Sequence, residues 1–142
     1  MKSSKEILSS VLKTTQMGQV GIRSVLDTSM RPGLRKALES QLREYDSIES
    51  EAHVIASQRG WELRELDPAV RFIADRMTRM KLHRSNSDSK IADMMIQGNT
   101  RGIIKGLKNK HHCKNCDEEI LNIAQKLLHC EDQNIKQMQG YL

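Results

Sequence analysis

Residues 33–59 read GLRKALESQLREYDSIESEAHVIASQR, a run in which buried-type side chains recur with helical spacing. Steps of alternately four and three residues place these side chains on one face of an α-helix. The positions are Leu34, Leu38, Gln41, Tyr45, Ile48, Ala52 and Ile55. A seam of this kind is typical of a helical bundle, in which each helix buries one stripe against its neighbours. Gly60 follows the run and predicts its end.

Helical periodicity extends on both sides of this run. Asp67 and Pro68 are suited to the N-cap and first residue of a helix, and Asn115 with Glu118 resembles a capping box. The SNSDS stretch at residues 85–89 predicts a break. The predicted helices span about residues 4–28, 33–59, 68–84, 89–108 and 115–139. We therefore expect one all-α domain over residues 1–142, an antiparallel four-helix bundle whose long crossover contains an extra helix.

Composition and charge narrow the class of protein. The formal net charge of +5 permits binding to nucleic acid or another acidic surface without requiring it. No apolar run approaches the roughly 18 residues that span a bilayer, and the first residues lack the apolar core of a secretion signal. Three cysteines without such a signal predict free thiols in a cytoplasmic protein.

The stretch KHHCKNC at residues 110–116 is the sharpest chemical motif. Cysteine and histidine are the usual ligands of zinc, and C-x-x-C is a common half-site. Cys130 lies fourteen residues beyond Cys116, about 21 Å along a continuous helix, so both cannot bind one ion. A metal site would have to use His111, His112, Cys113 and Cys116. A helix-linking loop is the favoured interpretation, with a zinc or iron site and a redox dithiol as alternatives.

A second candidate metal site lies at the predicted centre of the bundle. Di-iron bundles use a glutamate from each of two helices and Glu-x-x-His from the other two. Here both Glu-x-x-His motifs are incomplete. Ser50 stands where a glutamate should precede His53, and Asn134 stands where a histidine should follow Glu131. The degenerate set would be Gln16, Gln41, His53 and Glu131.

Polar residues interrupt the apolar seams at neighbouring levels. Buried polar groups need partners, so a hydrogen-bonded belt that fixes helix register is one interpretation and a small ligand pocket is the other. The residues are Thr14, Thr15, Gln16, Gln41, Asn99, Thr100 and Glu131. Gly18, Gly21, Gly98 and Gly102 are expected to let helices approach closely.

The predicted crossover is strongly basic. Phosphate binding is an alternative function for it, although no aromatic residues are interleaved to stack on bases. Its basic face comprises Arg71, Arg76, Arg79, Lys81 and Arg84.

Two stretches of the sequence read KIADMMIQGNTRGI (residues 90–103) and KLLHCEDQNIKQMQGYL (residues 126–142). Together with the helix order, they resemble small bacterial ferritin-like proteins without an assigned activity. The resemblance covers nearly the whole chain and implies the bundle. The wider superfamily includes di-iron oxidases, iron stores and spore-coat-like proteins. Gln16, Ser50 and Asn134 stand where its metal ligands would be needed.

The sequence thus predicts a non-catalytic, ferritin-like protein with a structural or binding role, acting through self-association as a dimer. No nucleophile elbow, P-loop or dinucleotide fingerprint occurs, so we do not expect an enzyme. No cofactor is expected, although zinc or iron is possible. Metal binding is the first alternative and binding of nucleic acid or an acidic surface is the second.

Overall fold

The computed structural model describes residues 1–84 and 86–142, which form α-helices and no strand. The helices are α1 (Ser4–Leu26), α2 (Pro32–Arg59), α3 (Pro68–Arg84), α4 (Asp88–His112) and α5 (Glu118–Gln139). The all-α prediction is confirmed. Within the described ranges, no helix combines the length and the apolar content that crossing a bilayer requires.

Several predicted helix ends are confirmed by local chemistry. Gly60 adopts a left-handed conformation (φ 67°) at the end of α2, where a residue with a Cβ would be strained. The Asp67 carboxylate accepts a hydrogen bond from the Ala69 N–H at 2.8 Å, at the start of α3. Residue 85 of the predicted break lies outside the described part, and Ser87 caps α4 through the Lys90 N–H at 3.1 Å.

The junction of α4 and α5 differs from the prediction. α4 continues to His112 instead of ending near residue 108, because no glycine or proline stops it and its last turn is basic. Asn115 has φ 53° and turns the chain, so it cannot be the N-cap. Asp117 occupies that position, and its N–H donates to Ser4 Oγ at 3.1 Å. The predicted Asn115–Glu118 capping box is therefore wrong.

The predicted α2 seam is buried in full, with Gln41 and Tyr45 among its apolar members. α1 packs against α2, α4 and α5, while α5 also packs against α2 and α4. These four helices surround one apolar core. α3 packs on the outside of α1.

Hydrogen bonds between helices fix their relative directions. Asn109, near the end of α4, donates to Ser10 Oγ near the start of α1 at 2.7 Å. Lys126 and Glu51 form an ion pair at 2.8 Å between the first half of α5 and the last half of α2. α1 therefore runs antiparallel to α4, and α2 runs antiparallel to α5, in the register that these pairs set.

α3 is attached mainly through polar contacts. Ser24 on α1 donates to Asp75 at 2.5 Å. Arg79 pairs with Asp75 at 2.9 Å and with Asp27 at 2.6 Å. Leu82 is its buried residue, and the apolar side chains of Ile73, Met77 and Met80 are exposed.

Candidate functional site

A cavity of about 480 Å³ lies between α1, α3 and α4, and side chains from α2 and α5 close its inner end. We call it the groove. Its walls are largely apolar and rich in methionine. Met17 comes from α1, Met77 from α3, and Met94 and Met95 from α4. Methionine side chains are flexible and polarisable, so these walls can adapt to an apolar molecule.

Glycines create the space of the groove, but at two of them the space is filled by side chains. A Cβ at Gly18 would lie less than 3.0 Å from the Tyr45 ring, and one at Gly102 less than 3.0 Å from both carboxylate oxygens of Glu131. A Cβ at Gly98 would meet nothing within 4 Å. Gly18 and Gly102 therefore accommodate side chains from α2 and α5, while Gly98 leaves the groove open.

A buried polar network forms the inner end of the groove. Tyr45 Oη lies 2.9 Å from Asn99 Oδ1 and 3.1 Å from Glu131 Oε2. Asn134 donates to the same Asn99 oxygen at 3.3 Å. Each of these four side chains is at least nine-tenths buried. The other carboxylate oxygen, Glu131 Oε1, is buried and has no hydrogen-bond partner among the described residues.

Burial determines the protonation of this network. Burial raises the pKa of Glu131 from 4.5 to about 8. The hydrogen bond from Tyr45 lowers this pKa, but its effect is smaller than that of burial. Burial, and then the charge of Glu131, raise the pKa of Tyr45 well above its usual value. Both groups therefore hold their protons near neutral pH. Tyr45 has a single proton for Asn99 Oδ1 and Glu131 Oε2. When it donates to Asn99, the protonated carboxyl donates from Oε2 to Tyr45 Oη; when it donates to Glu131, the carboxyl proton is left on Oε1.

Basic side chains surround the outer part of the groove near Glu131. Lys13 comes from α1, and Arg101 and Lys105 come from α4. Partial burial, followed by the positive charges of Lys13 and Lys2, lowers the pKa of Lys105. The described residues place no carboxylate within ion-pair distance of Lys13, Arg101 or Lys105. Lys81 of α3 also lines the groove.

The structure brings two of the four predicted bundle-centre residues, Gln16 and His53, to the same carboxylate, that of Glu65, and places the other two elsewhere. Gln16 donates to Glu49 at 3.1 Å and to Glu65 at 3.2 Å, and the exposed His53 lies 3.5 Å from Glu65. Gln41 instead donates to Gln137 at 2.8 Å. Only Glu131 of the four lines the groove.

The pieces of that predicted set belong to separate polar networks. Burial opposes the ionisation of Glu49, but hydrogen bonds from Gln19 and Gln16 lower its pKa. The Glu49 network is therefore charged, whereas the Glu131 network is neutral near pH 7. Part of the predicted polar belt thus forms hydrogen bonds between helices, and Asn99 and Glu131 line the groove; a ligand pocket stays a prediction.

The cysteine cluster at the end of α4 has a structural role. Cys113 and Cys116 are joined by a disulfide, so the expectation of free thiols is wrong for this pair. Lys2 pairs with Cys113 through the backbone, which fixes the first residues against the α4–α5 turn. His111 and His112 are exposed in the last turn of α4. The loop interpretation holds for residues 113–117, although the two histidines belong to the helix.

Nothing in the described residues groups three or more histidine, cysteine, aspartate or glutamate side chains as metal ligands. The zinc or iron site at His111, His112, Cys113 and Cys116 remains a prediction from sequence. Cys130, the third cysteine, is a buried free thiol. Burial, followed by the Glu44 carboxylate at 3.2 Å, raises the pKa of this thiol.

The predicted basic face of the crossover is neutralised in part, and phosphate binding by it stays a prediction. Arg79 is paired with two carboxylates, and Arg76 lies over the Phe72 ring at 5.9 Å. Arg71 donates to the Leu66 carbonyl at 3.5 Å. Arg84 is exposed at the end of α3, and Lys81 contributes to the groove.

No protein-family model matches the sequence, and no curated protein or solved structure matches it. The groove is therefore the candidate site. Glu131, Asn99 and the glycines are candidates from the sequence, whereas the places of Tyr45 and Lys105 in this site are found only in the structure. The signal in the sequence for Tyr45 is a hydroxyl-bearing residue in a buried seam.

Proposed function

We propose that this chain is a non-catalytic binding protein and that the groove is its small-molecule site. The observation that carries this proposal is the unpaired, buried Oε1 of Glu131 at the inner end of a 480 Å³ cavity. An unsatisfied buried oxygen costs about 1–3 kcal/mol, which a bound hydrogen-bonding ligand would recover. The volume and the apolar walls with few polar groups are typical of ligand sites.

Binding rather than catalysis is favoured by the protonation of the inner end. Glu131 and Tyr45 both retain their protons near neutral pH, because burial raises both pKa values. Neutral partners that hydrogen-bond one another suit a site that holds a ligand more than one that activates a nucleophile.

We also propose that α1, α2, α4 and α5 form a ferritin-like four-helix bundle, with α3 inside the long crossover between α2 and α4. The antiparallel directions of α1 and α4, and of α2 and α5, support this assignment. So does the position of α3 on the outer side of α1.

A neutral solvatochromic dye tests the groove directly. We expect Nile red to bind one molecule per chain with enhanced, blue-shifted fluorescence. Gly98→Leu should abolish this signal, since Gly98 lines the groove and a side chain added there meets open space that it would occupy. Thr100→Leu adds the same side chain at an exposed position of α4 that does not line the groove, and it should bind as wild type. Unchanged binding by folded Gly98→Leu would refute the groove as the site.

A second proposed function is self-association into a dimer through α3. The observation favouring it is a set of large apolar side chains on α3 that are about half exposed or more, with Phe72 at 65%. The same patch on two copies would pair isologously around a two-fold axis. The patch comprises Val70, Phe72, Ile73, Met77 and Met80.

Sedimentation equilibrium tests the dimer. At micromolar concentration we expect dimer for wild type and monomer for the double variant Phe72→Ser/Ile73→Ser, neither of which lines the groove. Val54→Ser removes an apolar side chain of similar exposure from α2 and should leave the dimer intact. A wild-type protein that sediments only as monomer would contradict this function.

A further inference from the structure

The chemistry of the groove differs between its two ends. α1 and α4 run antiparallel, so Lys13 of α1 lies near Lys105 of α4 at one end of the groove. At the other end Gly21 lies beside Met95: a Cβ built on Gly21 would be 3.9 Å from the Met95 methyl carbon. The end near Glu131 is therefore cationic at its rim. The other end is lined by Ile22 and by methionines.

The cations at the rim lack the carboxylate partners that other basic residues of this protein have. Arg79, on the neighbouring α3, is paired with Asp27 and Asp75. Lys13 and Lys105 instead repel one another, since the charge of Lys13 contributes to the lowered pKa of Lys105. An anion placed between them would relieve that repulsion.

The inner end supplies a hydrogen bond of the complementary kind. Glu131 Oε1 is buried and has no partner among the described residues; when Tyr45 donates to Oε2, the carboxyl proton lies on Oε1 and can be donated to a ligand oxygen that reaches it. A hydrogen bond between a carboxylic acid and a carboxylate is short and strong. One anionic group could therefore accept a hydrogen bond from the neutral Glu131 carboxyl and form ion pairs with the lysines at the rim.

We propose that the ligand is a single-chain amphipathic carboxylate of the fatty-acid class. Its carboxylate lies between Lys13, Lys105 and the Glu131 carboxyl, and its alkyl chain extends along the methionine walls toward Gly21. This inference rests on the proposed function of the groove and adds the ligand class. Charge complementarity selects the headgroup, and the adaptable walls select an alkyl chain.

The protonation state of Glu131 should control the affinity of the groove for a carboxylate. The titratable and charged groups that share its surroundings are Tyr45 of α2, Lys13 of α1, Lys81 of α3, Arg101 and Lys105 of α4, and Cys130 of α5. Loss of the Glu131 proton converts a donor into a second carboxylate beside the ligand headgroup. Carboxylate binding should therefore weaken as the pH rises past about 8, and Glu131→Gln should remove that step.

Calorimetric titration with decanoate, decanol and decyltrimethylammonium tests the ligand class, with the two ions below their critical micelle concentrations and decanol below its solubility limit. We expect one decanoate per chain at pH 7, bound about tenfold more tightly than decanol, with the cation weakest. Lys13→Gln/Lys105→Gln should weaken the binding of decanoate about tenfold and leave the binding of decanol unchanged. Lys108→Gln/Lys110→Gln removes the same charge from exposed positions of α4 outside the groove and should bind as wild type.

The outcomes separate this inference from the function on which it rests. Equal binding of decanoate and decanol, or no effect of the Lys13/Lys105 substitutions, would overturn the carboxylate assignment while the groove remained a binding site. Failure of Nile red and all three amphiphiles to bind would overturn both. Because both lysines lie at the rim and not in the core, circular dichroism should show that the double variant is folded.

Discussion

Above pH 8, Glu131→Gln is expected to be more stable than wild type by roughly 2–4 kcal/mol in the free energy of unfolding. Burial disfavours the charged form of Glu131 and raises its pKa from 4.5 to about 8. That shift corresponds to about 5 kcal/mol between the two protonation states. Local relaxation lowers this figure. Glutamine has nearly the same shape and cannot ionise.

The sign of the pH dependence follows from proton counts. Below about pH 4.5 both folded and unfolded states are protonated at Glu131, and the group imposes no penalty. Between about 4.5 and 8 the unfolded state has lost the proton that the folded state keeps, so stability falls as the pH rises. Above about pH 8 Glu131 is ionised in both states, and its full destabilising effect on the folded state is present.

Urea unfolding of wild type and variant at several pH values measures this effect. The two stability curves should meet near pH 4 and separate progressively up to about pH 9. Glu62→Gln changes an exposed glutamate in the connection between α2 and α3, and it should follow the wild-type curve. Parallel curves for wild type and Glu131→Gln would show that Glu131 is not held in its protonated form.

Gly102→Ala and Gly98→Ala are expected to change stability in opposite directions, although both replace glycine by alanine in α4. Alanine at position 98 finds open space and should stabilise by about 0.5–1 kcal/mol, because glycine is the poorer helix former. Alanine at position 102 would collide with the Glu131 carboxylate. Moving that carboxylate breaks its hydrogen bond to Tyr45, so we expect a net loss of about 1–3 kcal/mol.

Thermal and urea unfolding of the two variants test this contrast, with each variant serving as the control for the other's helix propensity. The double variant Gly102→Ala/Glu131→Ala should recover part of the loss, since it removes the atoms that collide. Equal effects at the two positions would contradict the arrangement of Glu131 against Gly102. The experiment would then place the carboxylate elsewhere.

Local signals in the sequence predict much of the helical framework. The α2 seam, Gly60 and the Asp67–Pro68 start of α3 are each specified within a few residues, and the structure has them where the pattern indicates. The junction after α4 was predicted less well. Asn115 has the chemistry of an N-cap, but it adopts a left-handed turn in a segment bonded to Lys2 and Ser4, more than 100 residues away in sequence.

The sequence by itself thus determined that this chain is all-helical and which faces of its helices are buried, because helical periodicity and capping depend on residues within a few turns of one another. Only the tertiary structure decided that Tyr45 and Glu131, 86 residues apart, share a hydrogen bond beside Gly102. The same holds for the groove and its cations. Burial, pKa and electrostatic repulsion depend on which helices are neighbours and in what register, and packing across the whole core sets both.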